Sequence, residues 1–466
     1  MSHLPKLNAK LCIGHTTMPE LRSVAAKEIV IAFCLLLAAI PRQVNAQLVA
    51  DTGLFHQISM IKAIDNHAHP LKYVTKDGMP DLEYDALPID AIPVFPLPVQ
   101  LSTDNPEFID AWRDLYNYPY HDMSGAHKKE LIITKQRVLD ERRDSFPAWV
   151  LDKLNIETMF ANRVAMGAGL TAPRFRWVAF DDALLFPLNN EAAKKCNPDY
   201  RGFFPGEERL LRRYLGDLQI AELPSSLDVY LRAIVTPTLE KQKKAGALAI
   251  KFEAAYLRKL DFNSPDETTA RNTYARYVKG GEPAAKDYKA LQDFLFYYIA
   301  REAGRLGMAV HIHCFAGVGS YYQQSGSNPL LLESVFNDLS LRGTNFVLLH
   351  GGYPFTKETG FLMSKPNVYG DFSLQTLFNY PRQLGETLRN WLELYPDKIL
   401  FGTDAFSFGP EIDWGEVAWL SNNNTRKALA LALTGMMSDG EINRDKAIEL
   451  AQMVLHDNAY KLYGIK

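Results

Sequence analysis

The feature that most constrains this chain is a repeated alternation of short apolar, β-branched runs with amphipathic helical segments. The runs are "IKAIDNH" (61–67), "IETMFANRV" (156–164), "FRWVAFD" (175–181), "GALAIKFE" (246–253), "MAVHIHC" (308–314), "NFVLLHG" (345–351), "NVYGDFS" (367–373) and "KILFGTD" (398–404). Runs of this length and composition read as buried strands. Between the later ones, 289–307, 330–339 and 382–396 carry apolar residues at three- and four-residue spacing, and the first stops on a glycine. Strands alternating with helices pair in parallel, and eight of them in this order predict a closed (β/α)8 barrel in the α/β class.

Two long insertions interrupt the alternation. Residues 70–150, after strand one, hold an aromatic and proline-rich stretch followed by a helical one, and residues 183–230 follow strand three. Loops of this length are functional lids or carry structure of their own. The aromatic part at 93–120 is read as a lid packed on the barrel in preference to a carbohydrate platform. After residue 421 two or three closing helices are expected, with a turn at Ser438 or Asp439 and Asn443 as an N-cap.

The strand ends carry the chemistry. In such barrels the active site sits at the C-terminal ends of the strands. Five of the eleven histidines fall there: His67 and His69, His311 and His313, and His350; Lys251 and Asp404 close strands four and eight. Strand alternation lets His67 and His69 turn together into the barrel mouth. Neutral imidazoles with a carboxylate suit a divalent metal, zinc foremost, with manganese or iron(II) as alternatives and one or two ions per chain. "GVGS" (317–320) lacks the context of a phosphate loop and receives no nucleotide role.

"IDNHAHPL", "KFEAAYLRKLDF", "HIHCFAGVGS", "VLLHGGYPFTKETGFL", "NVYGDFSL", "ILFGTDAFSFGPE" and "DNAYKLYGI" together resemble the amidohydrolase superfamily. Within it the resemblance is to the amidohydrolase-related (amidohydrolase 2) domain that some proteins carry fused to a glutamine-synthetase-like domain. It spans about residues 60–465, a barrel without that partner. The resemblance implies that His67, His69, His313 and Asp404 bind metal, that His350 binds a second metal or polarises a substrate carbonyl, and that a metal-activated water gives its proton to Asp404. Three readings of Lys251 stand: a carboxylated bridge between two metals, an ammonium for a substrate carboxylate, or the partner of Glu253. His311 competes with His313 for one ligand position. The family pattern favours His313, leaving His311 to orient a ligand through a hydrogen bond. Tyr256 and Arg258, just beyond strand four, are candidate substrate-carboxylate binders; Asp371 is a candidate support for the ligands; Asp65 either holds its turn or contacts an imidazole. Phe406 stands where related proteins often have another histidine.

The expected function is therefore metal-dependent hydrolysis of an amide or related C–N bond in a small molecule. A decarboxylase (lyase) on the same barrel and a dipeptidase-like hydrolase are the alternatives. Net charge is −3 with no block of like charge, which argues against nucleic acid and anionic membrane as partners. Self-association into a homo-oligomer is left open. Before the barrel, Arg22 and Lys27 precede the apolar "EIVIAFCLLLAAIP", and Val44-Asn45-Ala46 supplies small residues for cleavage after Ala46. That pattern predicts a signal peptide over 1–46, with Met18 as an alternative start, and export to the periplasm or medium. The barrel domain then occupies 47–466. Cys196 and Cys314 remain, too few for a disulfide scaffold.

Overall fold

Eight parallel strands follow one another in chain order: β1 (Ala63–Ala68), β2 (Ile156–Arg163), β3 (Phe175–Phe180), β4 (Ala247–Phe252), β5 (Ala309–His313), β6 (Phe346–Leu349), β7 (Val368–Asp371) and β8 (Ile399–Leu400). The computed structural model describes residues 49–75, 78–87, 98–317 and 319–465; the expected leader lies outside them, as do residues 93–97 of the aromatic insertion. Each strand pairs with the next in parallel register. β8 is shorter than the run at 398–404 suggests because only two of its residues pair with β7. Beyond them the chain turns to β1: Asn66 N–H donates to Phe401 O at 2.8 Å, Asp404 N–H to His67 O at 2.7 Å and His69 N–H to Ala405 O at 2.8 Å. These bonds close the barrel and set the β8 end directly against the two histidines.

Strand alternation sorts the side chains. On β5, Val310 and Ile312 point outward into the helical layer, where each fully buried aliphatic contributes about 1.5–3 kcal/mol. Ala309 faces inward, packed with Ile64, Phe160, Val178, Ala249 and Leu400 in the barrel interior. Ala459 and Ile465, from the chain's last turns, join that inner cluster and seal its lower end. On β1 the phase changes: a register shift between Asp65 and Ala68 gives this strand one more residue than its partner. Such a bulge re-aims side chains. Ile64 fills the interior below, and His67 and His69 face the mouth above.

The helices at 285–305 and 381–394 match the expected segments, the first ending at Gly307, whose φ of +64° needs no Cβ to avoid. The segment at 330–339 does not form one helix. It breaks into a 3₁₀ turn at Pro329–Leu332 and one short helix at Glu333–Asn337, because Asp338 turns its carboxylate onto Ser340 N–H at 2.7 Å and starts a new turn instead. The closing helices are Trp414–Ser438, Arg444–Gln452 and Asn458–Tyr463, and Asn443 caps the second by accepting from Lys446 N–H. In the first insertion Phe108, Trp112 and Tyr116 on the helix Glu107–Tyr116 are buried in the core they share with Trp414 and Val417. This part packs on the barrel as a lid would. No helix among the described residues is long and apolar enough to cross a membrane. Cys196 and Cys314 are both free thiols.

Candidate active site

At the barrel mouth, His67 Nε2 lies 3.1 Å from Asp404 Oδ1, and His69 Nε2 lies 3.5 Å from the same oxygen. His350 Nδ1 is 3.9 Å from Asp404 Oδ2, and its Nε2 is 3.1 Å from His313 Nδ1. All five residues line one cavity of about 720 Å³, counted with its open mouth. His350 and Asp404 have φ of +61° and +51°. Non-glycine residues in that region store roughly 1–3 kcal/mol each and cluster at functional sites.

A hydrogen-bond chain fixes the imidazole tautomers. The Ser373 hydroxyl donates to Asp371, so its oxygen is left to accept from His350 Nδ1–H at 2.9 Å. His350 Nε2 is then a lone pair, which accepts from His313 Nδ1–H. His313 Nε2 is left buried without any partner, a bare lone pair facing the cavity. Asp371 is held from behind by Asn66, whose amide donates to it at 2.8 Å, and Asn66 accepts from the Tyr463 hydroxyl. Asp371 thus supports His350 through Ser373.

Burial sets the protonation of these groups. It holds the His67, His313 and His350 imidazoles well below their ordinary range, with Lys251 adding to the effect at His67 and His313. It pushes His69 down to about 4, against the raising influence of Asp404. Neutral imidazoles are the ligand form. Burial raises the Asp404 carboxyl above the usual carboxylate range, opposed by His69 and Lys251.

These residues fit a divalent ion. Four ligands at about 2.0–2.2 Å from zinc sit about 3.3–3.6 Å from one another, the scale of the His67–Asp404 and His69–Asp404 separations. His67, His69 and Asp404 form a buried group able to hold a metal; His313, expected as the fourth ligand, lies outside that group, its Nε2 buried without a partner.

Several placements differ from the sequence reading. His311 orients no ligand: it lies one layer deeper, and its Nε2 pairs with the Tyr463 hydroxyl at 2.7 Å. Arg258 is turned away from the cavity. Its guanidinium donates to Asp293 at 2.7 Å and Gln292 at 2.9 Å and stacks over Phe262, so it cannot serve a substrate here. Tyr256 does line the cavity, its ring 4.6 Å from that of His313. Lys251 Nζ stands 3.5 Å from His67 Nε2 and 3.6 Å from Glu253 Oε1. Asp65 touches no imidazole side chain. It accepts from the Thr403 hydroxyl and backbone and from His67 N–H, and so ties β1 to the β8 end. Asp85 was not anticipated: its Oδ2 lies 3.2 Å from His69 Nδ1. It comes from the long first insertion, where no motif marks it. Asp182 and Glu207, buried behind Glu253, were missed too; only the paired "DD" ending strand three hinted at them.

A (β/α)8 barrel whose rim gathers histidines and an aspartate able to hold a metal defines the metal-dependent hydrolase type. Residues 64–465 match the family model described as Amidohydrolase, and the chain belongs to that family; it is an enzyme of the amidohydrolase type. It is 33% identical over 142 residues to Protein fluG of Emericella nidulans, a match covering 30% of this chain and only 15% of that relative. Among solved structures, a Lactobacillus casei protein designated a metal-dependent hydrolase superposes with a TM-score of 0.58 at 16% identity, covering 90% of this chain and 98% of that one. Uronate isomerase of Thermotoga maritima gives 0.55 at 15% identity over 78% and 79% of the two chains. Glucuronate isomerase of Caulobacter crescentus gives 0.57 at 13% over 89% and 93%. At these identities the likeness is one of fold.

Proposed function

We propose that this protein hydrolyses an amide or related C–N bond of a small molecule, with a divalent metal held by His67, His69, His313 and Asp404. The observation that carries this reading is the convergence of His67 Nε2 and His69 Nε2 on Asp404 Oδ1, at 3.1 and 3.5 Å, in the wall of an open cavity. When bound, the ion supplies Lewis acidity, which brings the pKa of water from 15.7 to about 7. Asp404 takes the proton released by the attacking water and hands it to the leaving nitrogen. His350, held by Ser373 and Asp371, keeps His313 in the tautomer that leaves Nε2 bare. The aromatic rings of Phe378, Phe406 and Phe408 wall the outer cavity and shield the reacting groups from bulk water.

Isomerisation of a sugar acid, the activity named for two of the structural neighbours, has less support. Among the described residues the cavity lining offers Lys251 and no arginine to a substrate carboxylate. The test is elemental analysis of the purified protein followed by a screen of amides, dipeptides, lactones, aromatic acids and uronates. Amine release with a bound divalent metal supports the proposal. Carbon dioxide release from an acid, or interconversion of a uronate, in place of amine release would replace it.

A further inference from the structure

Beside the catalytic cluster, and joined to it through His69, lies a second polar wall. Asp85 and Glu253 both line the cavity, and with His69 they offer ligand atoms that all lie within 4.8 Å of one another. Both side chains are at least nine-tenths buried. Glu253 Oε2 is without a donor, although its carboxyl also meets that of Asp85 and the residue faces open cavity. Behind it Asp182 accepts from Glu253 N–H at 2.7 Å, and both carboxylate oxygens of the buried Glu207 are also without a donor. Against these four carboxyl groups stands one ammonium, Lys251, 3.6 Å from Glu253 Oε1. Burial raises all four carboxyls above the ordinary carboxylate range, so they hold protons unless a cation joins them.

The wall's position says which cation. His69 is shared: its Nδ1 meets Asp85 at 3.2 Å and its Nε2 meets Asp404 at 3.5 Å. The acidic wall is therefore one imidazole ring away from the carboxylate that moves the proton. A group bound there would sit beside the scissile carbonyl, on the same small molecule. The remaining lining is apolar, with Leu87, Leu101, Phe203 and Phe378 among it.

We propose that Asp85 and Glu253 form a substrate subsite for a protonated amine, so that the enzyme selects small amides bearing a free ammonium next to the carbonyl and an apolar side chain. This rests on the amide-hydrolase reading for its chemistry, while the subsite itself is tested by binding. Glu253 Oε2 accepts a hydrogen bond from one ammonium N–H and Asp85 from a second, replacing water with charge-assisted hydrogen bonds.

The experiment is calorimetric binding of L-leucinamide and of 4-methylpentanamide, its isostere lacking the amine, to the metal-loaded protein. Hydrolysis of the corresponding p-nitroanilides is measured in parallel. Leucinamide is expected to bind about tenfold tighter or more. In Glu253→Gln and in Asp85→Asn, each checked for folding by circular dichroism, that preference collapses towards unity. Equal binding of the two amides, binding of neither, or a preference unchanged in both variants overturns the subsite. A preference for leucinamide with no anilide cleaved leaves the subsite standing and instead removes the amide-hydrolase reading.

Discussion

At the scale of single residues, Asp404 is asked to do two jobs, and substitution separates them. Asparagine keeps an oxygen for a metal but cannot accept a proton. Asp404→Asn is therefore expected to lower kcat by a factor on the order of 10²–10⁴ while elemental analysis still finds most of the metal. Turnover near wild type in that variant would remove Asp404 as proton carrier. Ser373 acts more indirectly. Ser373→Ala leaves His350 Nδ1–H without its acceptor, while Asp371 Oδ1 keeps the backbone N–H of residue 373, a loss of about 1–3 kcal/mol. We expect kcat to fall more than KM rises, and Ser373→Thr to restore most of it. His311 tests electrostatics away from the ligands. Burial pushes its pKa down to about 3 from an ordinary 6.5, so the unfolded chain binds a proton that the native one refuses. The stability it permits is present above pH 6.5 and is lost progressively as pH falls towards 3. Between pH 7 and 4.5, urea unfolding of His311→Asn should lose less stability than wild type, by on the order of 2 kcal/mol. Parallel pH profiles for the two proteins would refute this.

At the scale of elements, the site is a consequence of how β1, β7 and β8 meet. Gly402, on the stretch that leaves β8 for β1, has no room for a side chain: a Cβ there would overlap Asp371 Oδ2 and lie 2.9 Å from Ser373 Cβ. Gly402→Ala should destabilise the fold by about 1–3 kcal/mol and, by displacing Asp371, also reduce activity; a variant with unchanged Tm and kcat would show that the wall yields. This seam also separates what the sequence discloses from what it hides. Histidines at strand ends are legible because a strand's direction and period are local properties, so His67, His69, His313 and His350 could be placed before any coordinates. The bulge that re-aims β1 was not legible, since it depends on the partner strand's register. Arg258 was misread for a related reason. Standing just beyond β4 fixes where its backbone is, but Asp293 and Gln292 on the 285–305 helix decide where its long side chain goes. Asp85 reaches His69 from the middle of an insertion, by a path that only tertiary packing defines.

At the scale of the whole molecule, the candidate ligands come from the first strand, the fifth and the end of the eighth, so they assemble only when the barrel closes. The lower end is closed by the chain's last residues, where Tyr463 joins His311 to Asn66 and, through it, to Asp371. An ion held at the mouth would thus bind the native state and have no comparable site in the unfolded chain. Binding of that kind adds about 2.7 kcal/mol when free metal is a hundredfold above its Kd. Chelation should therefore lower Tm by several degrees, and adding back zinc should restore it. The same treatment of a His67→Ala/His69→Ala double variant should produce almost no shift, because the ligand pair on β1 is gone. Equal shifts in the two proteins would place the stabilising metal elsewhere. No shift in the wild type would mean that the imidazoles and Asp404 converge without holding an ion, and the hydrolytic reading would lose its foundation.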